Sequence, residues 1–171
     1  MTGTTATTGG TTRLYGHHLG VVVDNEDPSN LCRVRVTVPA VLGDQETGWC
    51  RPVSPYAGDG IGLAMVPPIG SLVLVEWPGG DVSREPFWTG ATWSNGSGVD
   101  GAGPDAVVLV TPGGHRIELR DEAGSEQVEI LASNGASVVM DSNGLTLTFG
   151  SQSIAMTNQS VSVNDGALEV R

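Results

Sequence analysis

The chain has 171 residues and a net charge of −11, from 8 basic and 19 acidic residues, and every basic residue is an arginine. That balance excludes a binder of nucleic-acid backbones, which needs clustered positive charge, and no apolar run approaches the ~18 residues of a membrane helix. With Gly 25, Pro 10 and only 5% aromatics, the composition fits turn-rich β structure.

Residues 1–13 begin as a Thr/Gly-rich stretch without a basic or an apolar region, so they do not read as a secretory signal. They are expected to be flexible, or ordered only on a partner, and the chain is expected to be assembled in the cytoplasm. Residues 14–94 predict a compact β domain with strands over 19–24, 32–38, 48–53, 60–65, 71–77 and 86–91. Turns are expected at Asp27-Pro28-Ser29-Asn30, Pro39, Pro55, Pro67-Pro68 and Pro78-Gly79-Gly80. Five or six short strands with no helical period suit a small Greek-key barrel of the OB type. Cys32 and Cys50 lack metal-type spacing and are read as two buried, reduced thiols.

Residues 95–104 (Asn-Gly-Ser-Gly-Val-Asp-Gly-Ala-Gly-Pro) have linker composition. From 105 to 171 the chain alternates in short steps: Ile117/Leu119, Val128/Ile130, Val138/Met140, Leu145/Leu147/Phe149, Ile154/Met156, Val161/Val163 and Leu168/Val170. Apolar residues at i and i+2 give each strand one oily face, and Gly, Asn, Asp and Ser separate the strands. One copy of such a ribbon has too little apolar surface to close a core, so it must wrap around something, most simply other copies of itself. The continuous run Val107–Val110 is expected to be fully buried where barrel meets shaft.

The candidates for chemistry are weak. His17 and His18 are adjacent and would point opposite ways on a strand, and His115 lies in a Gly-Gly-His-Arg turn. Asp121/Glu122 and Glu126/Glu129 sit at turns or flank a strand, not the two sides of a glycosidase cleft. Trp49, Trp77, Trp88 and Trp93 read as barrel core or collar rather than a platform for bases. Gly58-Asp-Gly-Ile-Gly62 lacks the lysine and helix of a phosphate loop. No catalytic residue, metal site or cofactor is predicted.

The motifs Gly20-Val-Val-Val-Asp-Asn-Glu-Asp-Pro28, Arg33-Val-Arg-Val-Thr-Val-Pro39, Trp49-Cys-Arg-Pro-Val-Ser-Pro-Tyr-Ala-Gly58, Gly60-Ile-Gly62, Pro67-Pro-Ile-Gly-Ser-Leu-Val-Leu-Val-Glu76, Gly80-Asp81 and Gly90-Ala-Thr-Trp93 follow one another. In this order they resemble the OB domain of phage baseplate spike proteins (baseplate assembly protein V), of the related VgrG proteins of type VI secretion, and of extracellular contractile injection systems. Thr111-Pro-Gly-Gly-His-Arg-Ile-Glu-Leu-Arg-Asp-Glu122 and Gly124-Ser-Glu-Gln-Val-Glu-Ile130 resemble the first turns of the β-helix that follows in that family.

The resemblance implies an all-β homotrimer: an N-terminal OB collar, then an intertwined triple-stranded β-helix over 105–171 in which each strand pairs with strands of neighbouring chains. The shaft core and trimer interface would be Ile117, Leu119, Val128, Ile130, Val138, Met140, Leu145, Leu147, Phe149, Ile154, Met156, Val161 and Val163. It further implies a separate trimeric hub, since few residues precede the barrel, with Arg13, Leu14 and Tyr15 facing it. Without a His-x-His tip, a PAAR-type tip protein would dock at Leu168, Val170 and Arg171. The implied role is a structural spike in a virion tail or injection particle, in transient contact with a target envelope. The competing reading is a polysaccharide-binding or degrading trimeric β-helix, which would need aromatics projecting from the strands; residues 105–171 hold Phe149 alone.

Overall fold

In the computed structural model, residues 4–8 and 11–170 are described. The chain divides into two compact units, 1–97 and 98–171. The division falls within the stretch of linker composition.

The first unit opens with a ribbon, β1 (Thr4–Thr8) paired antiparallel with β2 (Thr11–Tyr15). The Thr/Gly-rich composition predicts a flexible segment over 1–13, whereas residues 4–8 and 11–15 pair as strands. The β-branched threonines that suggested low complexity are also good strand formers, and a second strand gives them a ladder partner. Then come β3 (His18–Asp24), β4 (Arg35–Thr37), the helical turn α1 (Pro39–Leu42), and the short strands β5 (Arg51–Pro52), β6 (Ala57–Gly58) and β7 (Ile61–Gly62). β8 (Leu72–Glu76), a 3-10 turn at Pro78–Gly80, and β9 (Phe87–Thr92) complete the unit.

The main sheet has the order β4-β3-β8-β9-β5, antiparallel except for the parallel pair β5/β9. The segment around β5 returns to the start of β4 through the bridge Val34↔Cys50, with backbone bonds of 2.8 and 3.2 Å. Numbered in barrel order, the ring runs 2-1-4-5-3 and back to 2, which is OB topology. The expected strand over 60–65 is the exception: of it, Ile61–Gly62 alone pairs, in a small hairpin with Ala57–Gly58.

Strand alternation builds the barrel core. Val34, Val36 and Val38 point inward from one side, Val73, Val75 and Trp77 from another, with Val22, Cys50 and Trp88 between them. Thr47 is buried with them; its Oγ1 accepts the Val36 amide at 3.1 Å and lies 3.2 Å from the Cys50 sulfur. Burial pushes the Cys50 thiol up to about 11, so it stays protonated at neutral pH. Cys32 is also free but only partly buried, and its carbonyl accepts the Trp88 indole N–H at 3.1 Å. Both thiols are reduced, as read from the sequence, but Cys50 alone is buried.

Outside the core, Asp27 organises the turn before β4. Its carboxylate accepts the amides of Ser29, Leu31 and Arg33 and a two-point contact from the Arg33 guanidinium, with Nη2 at 2.6 Å. Arg33 in turn lies 5.6 Å over the Trp49 ring. The Arg33 contact, with the amides, holds the Asp27 carboxyl well below the usual range. A carboxylate with a depressed native pKa stabilises the fold above the ordinary value and loses that contribution as pH falls below it. The denaturation midpoint of this unit is therefore expected to drop as pH falls below ~4. Asp27→Asn should lower the midpoint at pH 7 and flatten that acid slope, as a pH series of urea melts would show.

The second unit is a single eight-stranded antiparallel meander: β10 (Ala106–Val110), β11 (Arg116–Arg120), β12 (Gln127–Leu131), β13 (Ser137–Asp141), β14 (Gly144–Phe149), β15 (Gln152–Met156), β16 (Val161–Val163) and β17 (Leu168–Val170). Each strand pairs with the next in the same chain. The expectation that each strand pairs with strands of neighbouring chains is thus corrected. Tight turns of Gly, Asn, Asp and Ser return the chain at once, and an in-chain hairpin costs far less loop entropy than a strand from another molecule.

The turn at Asp141–Gly144 shows how tightly the meander closes. The Asp141 carboxylate accepts the Asn143 amide at 2.7 Å, and Gly144 has φ +140 with the Met156 carbonyl oxygen lying where a Cβ would go. Gly144→Ala is expected to destabilise this sheet by ~2 kcal/mol or more, measured by thermal or urea unfolding against the parent chain.

Candidate functional site

The feature that sets this chain apart is the face of the β10–β17 sheet. Side chains at i and i+2 of every strand fall into register with those of the next strand. One column runs Leu109, Ile117, Ile130, Val138, Leu147, Ile154, Val163, Leu168, and the other runs Val107, Leu119, Val128, Met140, Leu145, Met156, Val161, Val170. All sixteen positions are apolar.

None of the sixteen is fully buried. Leu119 is 41%, Met140 42% and Ile130 45% exposed, whereas every member of the buried apolar cluster lies between Val22 and Trp88. A sheet stabilised by cross-strand pairs alone thus presents a long, unbroken oily stripe. That is far more than a soluble monomer's usual scatter of exposed apolar side chains. Around Ile130, Val138, Leu147 and Ile154 the face forms an open trough of ≈ 550 Å³, with Phe149 on its rim.

The opposite face is polar in its central column, with Glu118, Glu129, Thr146 and Ser162 in register beside Val108, Val139 and Ala155. Glu118 is 4% exposed. Its two carboxylate oxygens each accept a guanidinium at 2.6 Å, Oε1 from Arg120 and Oε2 from Arg116. These bonds, Arg120 first, hold the Glu118 carboxyl below its ordinary value. Arg116 also donates to the Asp100 carbonyl at 3.0 and 3.1 Å, tying part of the supposed linker to the sheet. At the neighbouring turn His115 Nδ1 accepts the Ser133 amide at 3.3 Å.

The structure places the predicted shaft residues on one face, with two refinements. Phe149 lies beyond the two columns, opposite Gln152, and is 65% exposed. Val107–Val110 is not buried: it is the first strand of the sheet, with Val107 and Leu109 in the columns and Val110 on the other face. Leu168 and Val170 end the two columns on the outermost strand β17, and Arg171 lies outside the described residues.

Of the residues expected to face a hub, Arg13 pairs with Asp81 at 3.2 Å and Leu14 packs on the barrel core. Leu14 comes so close to the 3-10 turn that a Cβ on Gly80 would sit 3.0 Å from its backbone nitrogen. Tyr15, 47% exposed, is the member of the three whose side chain stays open. His17 and His18 do point apart: His17 Nδ1 lies 3.6 Å from Glu76, while His18 packs edge-on against Trp77 with its Nε2 unpartnered. Trp77 and Trp88 belong to the core, and Trp93 is exposed. Among the described residues no three His, Cys, Asp or Glu side chains cluster as a metal site.

Two family models match in chain order. Residues 18–93 match the type VI secretion system/phage-baseplate injector OB domain. Residues 106–169, the whole apolar stripe but its last member, match the phage baseplate V C-terminal trimerisation domain. The chain belongs to the phage baseplate V family. The two matches fall on the two structural units, so the baseplate V assignment covers the barrel and the meander alike. No curated protein matches the chain. Baseplate V domains are structural parts of an injection particle, and no helix among the described residues is long and apolar enough to cross a membrane.

Sequence reasoning missed the Arg116–Glu118–Arg120 cluster because the alternation of Ile117 and Leu119 was read for its oily phase alone. The same period puts three charges of alternating sign on the other phase. Glu118→Gln is expected to lower the unfolding midpoint of the meander at pH 7, since two guanidinium groups lose their anion. The gap to the parent should close below pH ~4 as the parent carboxyl takes up a proton.

Proposed function

We propose that this chain is the homotrimeric central spike of a contractile phage tail or contractile injection system. The observation that carries the reading is the sixteen-member apolar stripe, with no cover in its own unit. Covering each of its side chains is worth on the order of 1 kcal/mol, and a trimerisation-domain match lies over it. Three copies, each turning its stripe to a common three-fold axis, bury all three stripes in one dry column.

In this arrangement each sheet forms one side of a three-sided prism, with its strands across the axis. Eight strands spaced ~4.8 Å apart give a shaft roughly 34 Å long. The chains are held by side-chain packing along the axis, and the ladders stay within each chain. The outer face is polar, with Glu129, Thr146 and Ser162 in register and the Glu118 carboxylate neutralised by its two arginines, which suits passage through an envelope without sticking. The OB unit serves as a collar on a separate hub, with Tyr15 as the open contact. Among the described residues β17 is the last strand of the sheet, with Leu168 and Val170 exposed; a PAAR-type tip protein is the proposed occupant of that end. Sheath contraction would then drive the shaft through the target envelope.

Light scattering of the purified chain tests the core of this reading. The expected mass is three times 17.6 kDa, stable in mild denaturant. Leu119→Glu places a charge in the axial column and is expected to give a monomer or soluble aggregate whose barrel still melts cooperatively. A folded monomer from the unmutated chain would end the spike reading.

A further inference from the structure

A second apolar surface lies on the OB unit, apart from the barrel core. Between β5 and β8 the chain makes a long excursion. In it Tyr56 is 62%, Ile61 58%, Leu63 52%, Met65 56% and Ile69 63% exposed. Ile61, Leu63 and Met65 keep the strand pattern of i, i+2, i+4, yet beyond Gly62 the segment joins no ladder. The amides of Ala64, Met65 and Val66 have no hydrogen-bond acceptor in the described structure.

The excursion is nonetheless built. Ala57–Gly58 pairs with Ile61–Gly62, Leu63 N donates to the Tyr56 carbonyl at 2.9 Å, and the Ser54 hydroxyl lies 2.9 Å from the Tyr56 carbonyl and 3.1 Å from that of Leu63. Farther along, Asn25 Nδ2 donates to the Pro67 carbonyl at 3.1 Å. A braced hairpin that shows apolar side chains and open backbone donors to water is preorganised for a partner.

Charge identifies that partner. The chain carries −11 overall, but from Val53 to Ile69 it holds Asp59 as its single charged residue. A strongly basic or acidic partner would find nothing to pair with here, whereas a neutral, oily hairpin can approach a different surface of another copy of this acidic chain, as a three-fold assembly requires, without adding like charge to the contact. Copies tethered by the meander would meet at high effective concentration.

We propose that the Tyr56–Ile69 hairpin docks on the OB unit of a neighbouring copy, sealing the collar of the trimer by a contact independent of the shaft. The proposal rests on the trimer of the preceding section. The chain's own methionines separate the two. Met140 reports on the axial stripe and Met65 on the hairpin, and oxidation follows exposure. The full-length chain is footprinted with hydrogen peroxide and read by peptide mass spectrometry, with its mass followed by light scattering and the urea-unfolded chain as reference.

In a trimer both methionines are expected to oxidise about tenfold more slowly than in the unfolded chain. Tyr56 replaced by a photo-crosslinking phenylalanine should also join one chain to residues 14–94 of another. A trimer in which Met140 is protected but Met65 oxidises at the unfolded rate overturns the hairpin contact and leaves the spike intact. Crosslinks confined to one chain, or protection of Met65 that needs an added baseplate protein, overturn it equally. A monomer with both methionines reactive overturns the trimer and the hairpin contact together. The triple variant Leu63→Ser/Met65→Ser/Ile69→Ser is expected to keep the trimer mass while the Tyr56 crosslink is lost.

Discussion

The constraint on which this molecule depends is that its C-terminal sheet has one oily face and nothing in its own unit to put against it. Eight hairpin-linked strands satisfy their backbone groups within one chain, so hydrogen bonding alone is nearly complete. The side chains are not satisfied: Leu119, Ile130 and Met140 each remain more than two-fifths exposed. A structure that solves its backbone problem in-chain and leaves its hydrophobic problem open has to solve the second by association.

That division of labour shapes the rest. The barrel is a self-sufficient unit, closed by the Val34–Cys50 bridge around valines from three sides. It keeps its charges in local pairs such as Asp27–Arg33 and Arg13–Asp81. The meander places its buried charge, Glu118, on the face away from the stripe and clamps it between two arginines. A carboxylate on the axial side would have to be desolvated against other copies of itself. Polar and apolar demands are thus met on opposite sides of one sheet by the same two-residue period.

In the proposed trimer the in-chain ladders would also change how the shaft resists force. If strands alternated between molecules, pulling one chain out would break backbone bonds along the whole length. In the proposed prism each side would be a finished unit, and the resistance would lie in the packing of the axial columns. Tight turns such as Asp141–Gly144, where there is no room for a Cβ beside the Met156 carbonyl, keep successive strands in register, as the meshing of three copies would require.

Much of this was legible in the amino-acid order. Ile117/Leu119, Val128/Ile130 and their successors declare which phase of each strand is oily, because strand side chains alternate strictly. The valines of 34–38 and 73–75 likewise declare a barrel wall. What the order did not settle was partnership. Alternation says which way a side chain faces, not which strand lies beside it, so in-chain pairing of the meander, barrel closure through a single bridge and the Thr4–Thr8 ribbon came from the three-dimensional structure. The same reason explains Gly60–Met65, where a sound strand pattern found no neighbour beyond Gly62. Glu118 lies between two exposed leucine-class residues and looks like solvent-facing surface, until the strand places Arg116 and Arg120 on its side and buries it. The sequence alone determined the oily phase of each strand and hence the need for a partner; only the tertiary structure decided which strands pair, because pairing is set by turn geometry and long-range closure rather than by local period.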